Sequence, residues 1–292
     1  MNEIQVSLVA SANRPVLRGG FQNWVRFLNS LKENTINYEV IFVGDVKPSF
    51  NMLKYPEFKH IYATVKPAQA YEIGFRHAKG ELVHWTADDA DYNHPTRNCP
   101  TALDIAYERW VSMERTYGNK KDSVVAMRPI EDGGDVFKFH HFFGGWEETA
   151  VMAPFGLVSR EKFHELGGYD SRFVSGQSEN DVVMRFLEIG GHVDVCMEAF
   201  LYVHHRQVHP RTLDGSREDN KFREWYNTDR LVLENQWVIG GHGFYEKLNA
   251  EGNNALARKT VQISPTRLSP VERFEDKDIC TITQGKYKGR WA

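Results

Sequence analysis

The residues with the clearest chemistry lie in Gly80-Glu81-Leu82-Val83-His84-Trp85-Thr86-Ala87-Asp88-Asp89-Ala90-Asp91, where an apolar run ends in three carboxylates within four positions. Asp88, Asp89 and Asp91 repel one another unless a cation lies among them. Mg2+ and Mn2+ prefer carboxylate oxygens and share them readily with phosphates, so the pattern implies a metal at a strand's carboxyl end beside a diphosphate. The competing explanation is an acidic turn, since aspartate is common in turns. A second acidic group, Glu179-Asn180-Asp181, opens an apolar-spaced helix, where the dipole favours negative charge and capping alone would account for it. Arg185 lies four residues beyond Asp181, the spacing of a helical ion pair. The late pair His204-His205 and the indole of Trp146 complete the set, the latter suited to stacking on a sugar or base or to burial.

These groups need elements to hold them. Ile4 to Ala10 is predicted as a buried strand broken by Ser11-Ala12-Asn13-Arg14-Pro15. A helix follows, with Phe21, Trp24, Val25, Phe27, Leu28 and Leu31 recurring at three- and four-residue steps. Tyr38 to Val43 ends at Gly44-Asp45, and His60 to Val65 forms a short third strand. A helix from about Pro67 to His77 leads into the Leu82 to Thr86 strand. Strands alternating with helices predict a mostly parallel sheet, whose ligands sit at the strands' carboxyl ends. Ser11 to Arg14, Asp45 and Asp88 to Asp91 all fall at such ends. Farther on, Thr101 to Tyr117 has a helical stripe, Ser123 to Met127 a strand pattern, and Glu131 to Ala150 no period, as in a binding or surface loop. Ser159 to Gly168 is predicted as a short helix capped by Ser159.

The chain has 292 residues, is 41% hydrophobic and carries a formal charge of −3, enough to bury a sizeable core and without the global basicity of a nucleic-acid or membrane-surface binder. Cys99, Cys196 and Cys280 show no CxxC spacing and are expected as free thiols in a reducing compartment. The expectation is a soluble, cytoplasmic protein with neither signal peptide nor transmembrane segment.

The order of motifs resembles the GT-A fold, family 2 glycosyltransferases, over roughly residues 4 to 210. Ala10-Ser11-Ala12-Asn13-Arg14 is similar to that family's Pro-Thr-Tyr-Asn-Arg turn, with alanine at the proline and tyrosine positions. Gly44-Asp45 matches the place of an aspartate directed at the nucleobase. Gly74-Phe75-Arg76-His77-Ala78-Lys79-Gly80-Glu81 matches the G-x-x-x-A-x-G-E lead into the DxD motif, with Asp89 and Asp91 in its strict spacing. Phe155 to Asp170, ending in Leu166-Gly167-Gly168-Tyr169-Asp170, resembles the acceptor-side element, with Tyr169 for the usual phenylalanine. Glu179 to Arg185 is similar to the E-D-x-D-L-x-x-R region; aligned on Asp181 and Arg185, Glu179 takes the place of the base.

The resemblance implies an α/β fold, a GT-A type Rossmann-like, mostly parallel sheet flanked by helices. Residues 1-210 would form the catalytic domain, with a nucleotide-sugar half to about 95 and an acceptor half from about 96, followed by an extension over 211-292. It implies a glycosyltransferase moving a sugar from a nucleoside-diphosphate sugar, UDP first, to a hydroxyl acceptor, inverting and dependent on Mn2+ or Mg2+. Ala10, Ser11, Asn13, Arg14, Asp45, Asp88 and Asp89 would bind the donor. Asp89, Asp91 and either His204 or His205 would meet the metal. Glu179, or else Asp181, would be the base, and Trp146, Gly168, Tyr169 and Asp170 would face the acceptor, whether glycan, lipid-linked sugar, protein or modified nucleic acid. The alternatives are a non-catalytic carbohydrate-binding module of the same fold and a nucleotidyltransferase, whose glycine-rich loop after the first strand is missing.

Overall fold

A computed structural model describes residues 3–12, 21–49, 51–93, 100–131, 134–135, 153, 155–204, 228–233, 235–238 and 266–275. The first half alternates strands and helices as its periodicity predicts: β1 (Val6–Ser11), α1 (Phe21–Ser30), β2 (Tyr38–Gly44), β3 (Phe58–Tyr62), α2 (Pro67–His77) and β4 (Leu82–Ala87). β1 pairs in parallel with both β2 and β4, and β2 with β3, so the carboxyl ends of these strands share one edge. α1 buries Trp24, Phe27, Leu28 and Leu31 on one face of this sheet, each contributing roughly 1.5–3 kcal/mol relative to exposure. α2 covers the other face through Ile73 and Phe75. It comes so close that a β-carbon on Gly74 would lie 2.3 Å from the Val9 Cγ1, a physical reason for glycine in the lead to the acidic turn.

The second half contributes β5 (Ala90–Asp91), α3 (Ala102–Tyr117), β6 (Ser123–Glu131), β7 (Gly134–Asp135), β8 (Gly156–Ser159), α4 (Arg160–Glu165), α5 (Ser178–Glu188) and β9 (His192–Val203). The sheet order is β3-β2-β1-β4-β8-β6-β9-β5, with β7 on β6. Antiparallel β8 joins its parallel half to a second parallel pair, β6 with β9, on which β5 and β7 add antiparallel edges. This is an α/β, mostly parallel sheet flanked by helices. Two local expectations shift. The third strand lies earlier than His60 to Val65, and the helix expected after the second acidic group begins before it, at Ser178, which puts Glu179 and Asp181 inside its first turn.

The described residues beyond 211 dock on this domain. A short ladder of β10 (Trp237–Val238) and β11 (Thr266–Arg267) sets Trp237 and Arg267 against α5. No helix among the described residues is long and apolar enough to cross a membrane.

Candidate active site

The turn after β4 is built from below. His84, fully buried, donates from Nδ1 to the Gly156 carbonyl (2.9 Å), and its Nε2 lies 2.6 Å from the Tyr92 hydroxyl, itself 2.7 Å from Thr86 Oγ1. Burial lowers the His84 pKa to about 4, so the ring is neutral and acts as a brace. Tyr92 N–H donates to Ser30 Oγ (2.9 Å), which ties the chain leaving the turn to the end of α1.

Above this brace, Asp88, Asp89 and Asp91 are all buried. Asp88 Oδ2 accepts from the Trp24 indole (3.1 Å). Pairing of Asp91 with Tyr202 in the β5–β9 ladder places His204 one step beyond the strand, where its N–H donates to the Asp89 carbonyl (3.2 Å). The Nε2 of His204 then faces Asp91 Oδ2 at 3.8 Å, and Arg26 of α1 approaches the same oxygen from the other side, Nε at 3.7 Å. Neither ring nitrogen of His204 makes a hydrogen bond among the described residues. Asp91 Oδ1 accepts from the Asn93 N–H (3.0 Å).

No three His, Cys, Asp or Glu side chains among the described residues converge as a complete metal cage. Asp91 and His204 are instead two donors facing one another, which fits an ion held by few protein ligands and completed by phosphate oxygens and water. Ala10 and Ser11 lie at the neighbouring strand end, with Ser11 in register with Ala87, and exposed Asp45 follows β2. A cleft of about 530 Å3 is bordered by Gln22, Val25, Arg26, Asn29, Ser49 and Asn51, so that it shares Arg26 with the acidic turn. Asn13, Arg14, Trp146 and His205 lie outside the described residues.

The second acidic group divides sharply. Asp181, 0% exposed, receives the Trp237 indole (2.9 Å) and Arg267 Nη1 (2.8 Å) on Oδ1, with Arg185 Nη2 3.0 Å from Oδ2. Arg267 reaches on through Nη2 to Asp170 Oδ2 (2.8 Å), which also holds Arg172 (2.6 Å). Asp170 is thus the centre of an ion-pair cluster. Tyr169 is packed against Phe75 and Phe163. Gly168, at φ +72°, turns the backbone so that the Tyr169 N–H meets Glu72 Oε2 at 2.9 Å. A β-carbon on Gly168 would lie 2.7 Å from that same oxygen. Gly168, Tyr169 and Asp170 therefore knit α2 to the chain before α5.

Glu179, two residues from Asp181, is only partly covered. Burial, with the Asp229 charge adding to it, raises its pKa to about 7 against opposing hydrogen bonds from its own N–H and the Ser178 hydroxyl. A carboxyl that titrates there and reaches solvent can take a proton from a hydroxyl near neutral pH. Tyr71 connects the two acidic groups. Its hydroxyl donates to the Thr86 carbonyl (2.6 Å) at the end of β4, and its ring lies 5.9 Å from Tyr169, whose hydroxyl lies within electrostatic reach of Glu179. Sequence reasoning missed Trp24, Arg26, Tyr71 and Asp229. Arg26, a cation between core positions of an amphipathic helix, was the one visible signal.

No family profile and no curated protein sequence matches the chain. Among solved structures, the mannosyltransferase PcManGT from Pyrobaculum calidifontis, in complex with GDP-Man and Mn2+, is similar over 88% of this chain and 72% of that one, at 14% identity and a TM-score of 0.53. S. aureus TarS residues 1–349 aligns over 87% of this chain and 81% of that one, at 15% identity and a TM-score of 0.49. The first likeness shows the fold, which is of the GT-A type.

Proposed function

We propose that this GT-A chain is a glycosyltransferase that moves a sugar from a nucleoside-diphosphate sugar to a hydroxyl acceptor with inversion. The observation that carries this reading is the placement of Glu179, a partly exposed carboxyl in the first turn of a helix packed on the sheet whose strand ends carry the buried acidic turn, where burial raises its pKa to about 7. A module that only binds carbohydrate has no need of a carboxyl tuned to neutrality.

In this reading the donor lies along the ends of β1, β2 and β4, with Ala10, Ser11 and Asp45 toward the nucleoside and Asp88 and Asp89 beside the diphosphate. Asn13 and Arg14 belong to the same turn. Asp91 and His204, with His205 as the alternative histidine, hold Mn2+ or Mg2+, which when bound neutralises charge on the leaving diphosphate. Arg26 contributes a fixed positive charge beside Asp91. Glu179 accepts the proton of the acceptor hydroxyl as it attacks the anomeric carbon from the face opposite the diphosphate. Asp181, enclosed by Arg185, Arg267 and Trp237, has no open oxygen to offer, so Glu179 is the preferred base. Trp146 and the turn at Gly168, Tyr169 and Asp170 belong to the acceptor side. UDP is the first donor nucleotide to test, and GDP, the nucleotide of the Pyrobaculum complex, the second.

The test is a thermal-shift panel of UDP, GDP, CDP and TDP with and without Mn2+, followed by donor turnover. A shift requiring one nucleotide together with the metal is expected, because a ligand that binds only the folded chain stabilises it. Well-folded protein that responds to none of these pairs overturns the reading. A metal-dependent shift with sugar ligands but no turnover points to a binding module, and nucleotide incorporation into product points to a nucleotidyltransferase.

A further inference from the structure

The turn that delivers Glu179 is held by a residue from far along the chain. Asp229, completely buried in the helical stretch 228–233, accepts three consecutive backbone amides: Val174 N–H on Oδ1 (2.8 Å), and Ser175 N–H (2.7 Å) and Gly176 N–H (2.8 Å) on Oδ2. Successive amides converging on one anion form a concave nest, here filled by the protein's own carboxylate. The Val174 carbonyl accepts from Ala68 N–H at the start of α2 (3.1 Å), so the turn is pinned from both sides.

The next residue is strained. Gln177, at φ +63°, is the one non-glycine with positive φ among the described residues, a conformation in which the β-carbon of an L-residue crowds the following carbonyl oxygen. It caps α5 without a side-chain cap bond, and its Oε1 accepts from Asn180 Nδ2 (2.6 Å). Strain of this kind persists where the surroundings over-determine the backbone, and it gathers at functional sites. The left-handed residue lies at the turn that leads into α5. Its effect is to turn the chain so that Glu179 enters the first helical turn partly open to solvent.

We propose that Asp229 is a positioning residue for Glu179: by gathering the amides of residues 174–176 it sets the turn, holds Gln177 in its left-handed conformation and presents the Glu179 carboxylate. The inference rests on Glu179 being the base. Among the described residues, the groups that act on the Glu179 charge include Asp229, the Tyr169 hydroxyl and the Ser178 hydroxyl, while Lys66, ahead of α2, acts on Asp229 in turn. Asp229 is the one anion among them that repels the ionised base. Its carboxylate cannot be replaced by an amide without loss, because an NH2 would then point at a backbone N–H.

The experiment is a 13C-carboxyl NMR titration of the full chain, without donor or acceptor, comparing wild type with Asp229→Asn and using Glu179→Gln to assign the signal. The expected result is a Glu179 midpoint near 7 in the wild type and a lower one in the variant, with faster hydrogen exchange at the amides of residues 174–176. In turnover, kcat falls about tenfold or more while donor KM is retained, and the acid limb of the pH profile moves to lower pH. A residue with a merely structural role would leave the Glu179 midpoint and that limb in place. An unmoved Glu179 midpoint with unchanged kcat overturns the proposal. If Asp229→Asn does not fold, Asp229→Glu carries the test: retained charge with displaced oxygens should keep the midpoint raised and lower kcat, and wild-type kcat overturns it. A chain that transfers no sugar would sink the transferase reading while the NMR titration still reports on the clamp.

Discussion

The acidic turn after β4 and the acidic pair opening α5 hold similar residues in different ways. At the first, most partners belong to the chain up to residue 93: Thr86 and Tyr92 meet below the turn, Asn93 bonds Asp91, and α1 supplies Trp24 and Arg26, while the later chain adds Gly156 and His204. At the second, nearly every partner is remote: Asp181 depends on Trp237 and Arg267, and Glu179 on a turn held by Asp229. The contrast also runs inside the second group. Asp181 is neutralised by cations, whereas Glu179 has a like charge for company and stays partly open. The amino-terminal half makes most of its own pocket for a charge; at α5 the late chain decides whether a carboxylate is sealed or open.

Breaking that contrast most strongly, Glu179→Gln should lower kcat on the order of 10²–10⁴-fold and leave the nucleotide-dependent thermal shift intact; an equal loss in both would assign Glu179 to donor binding instead. In the wild type, activity should rise as pH increases through about 7, since Glu179 acting as the proposed base must be ionised, and this rise should vanish in the variant. Next, Arg267→Met leaves Asp170 and Asp181 buried without their shared cation. Breaking such a pair costs about 3–5 kcal/mol, read as a lower denaturation midpoint, and an unchanged midpoint would make the cluster decorative. Asp91→Asn should raise the Mn2+ concentration needed for half-maximal activity on the order of tenfold while thermal stability changes little, as expected where a carboxylate contributes a ligand. Last, Tyr92→Phe removes the hydroxyl bonded to His84 and Thr86, an expected loss of about 1–3 kcal/mol that calorimetry can resolve. Glu179 also sets a smaller pH signature. Its folded pKa lies above its ordinary 4.5, so its protonation favours the fold; that contribution is complete below 4.5 and is lost as pH rises through about 7. Glu179→Gln should therefore be more stable than wild type at pH 8 and not at pH 4.

Legibility followed the same division. β1, α1, β2, α2 and β4 emerge from periodicity because each buries one face against its sequence neighbours, and the three aspartates are contiguous enough to be seen as one group. β5 is two residues long and exists only because Asp91 meets Tyr202, so no local pattern announces it. Ser159 capping α4 was visible in sequence, and its hydroxyl does accept from Lys162 N–H. The left-handed Gln177 was not, because glutamine gives no sign of positive φ, and neither was Asp229, whose partners are backbone amides that every sequence possesses.

The bridge from Arg267 to Asp170 and Asp181 also sets an order of assembly. Synthesis runs from the amino terminus, and domains begin to fold as they emerge. The β1–β4 half has its strands and most of its acidic-turn contacts by Asn93 and its Gly156 and His204 contacts by residue 204, yet Asp170 and Asp181 have no shared cation until residue 267 has left the ribosome. The half that carries Glu179 is expected to close last, and nascent chains stalled before that arginine should hold a formed β1–β4 edge beside an unfinished helix α5.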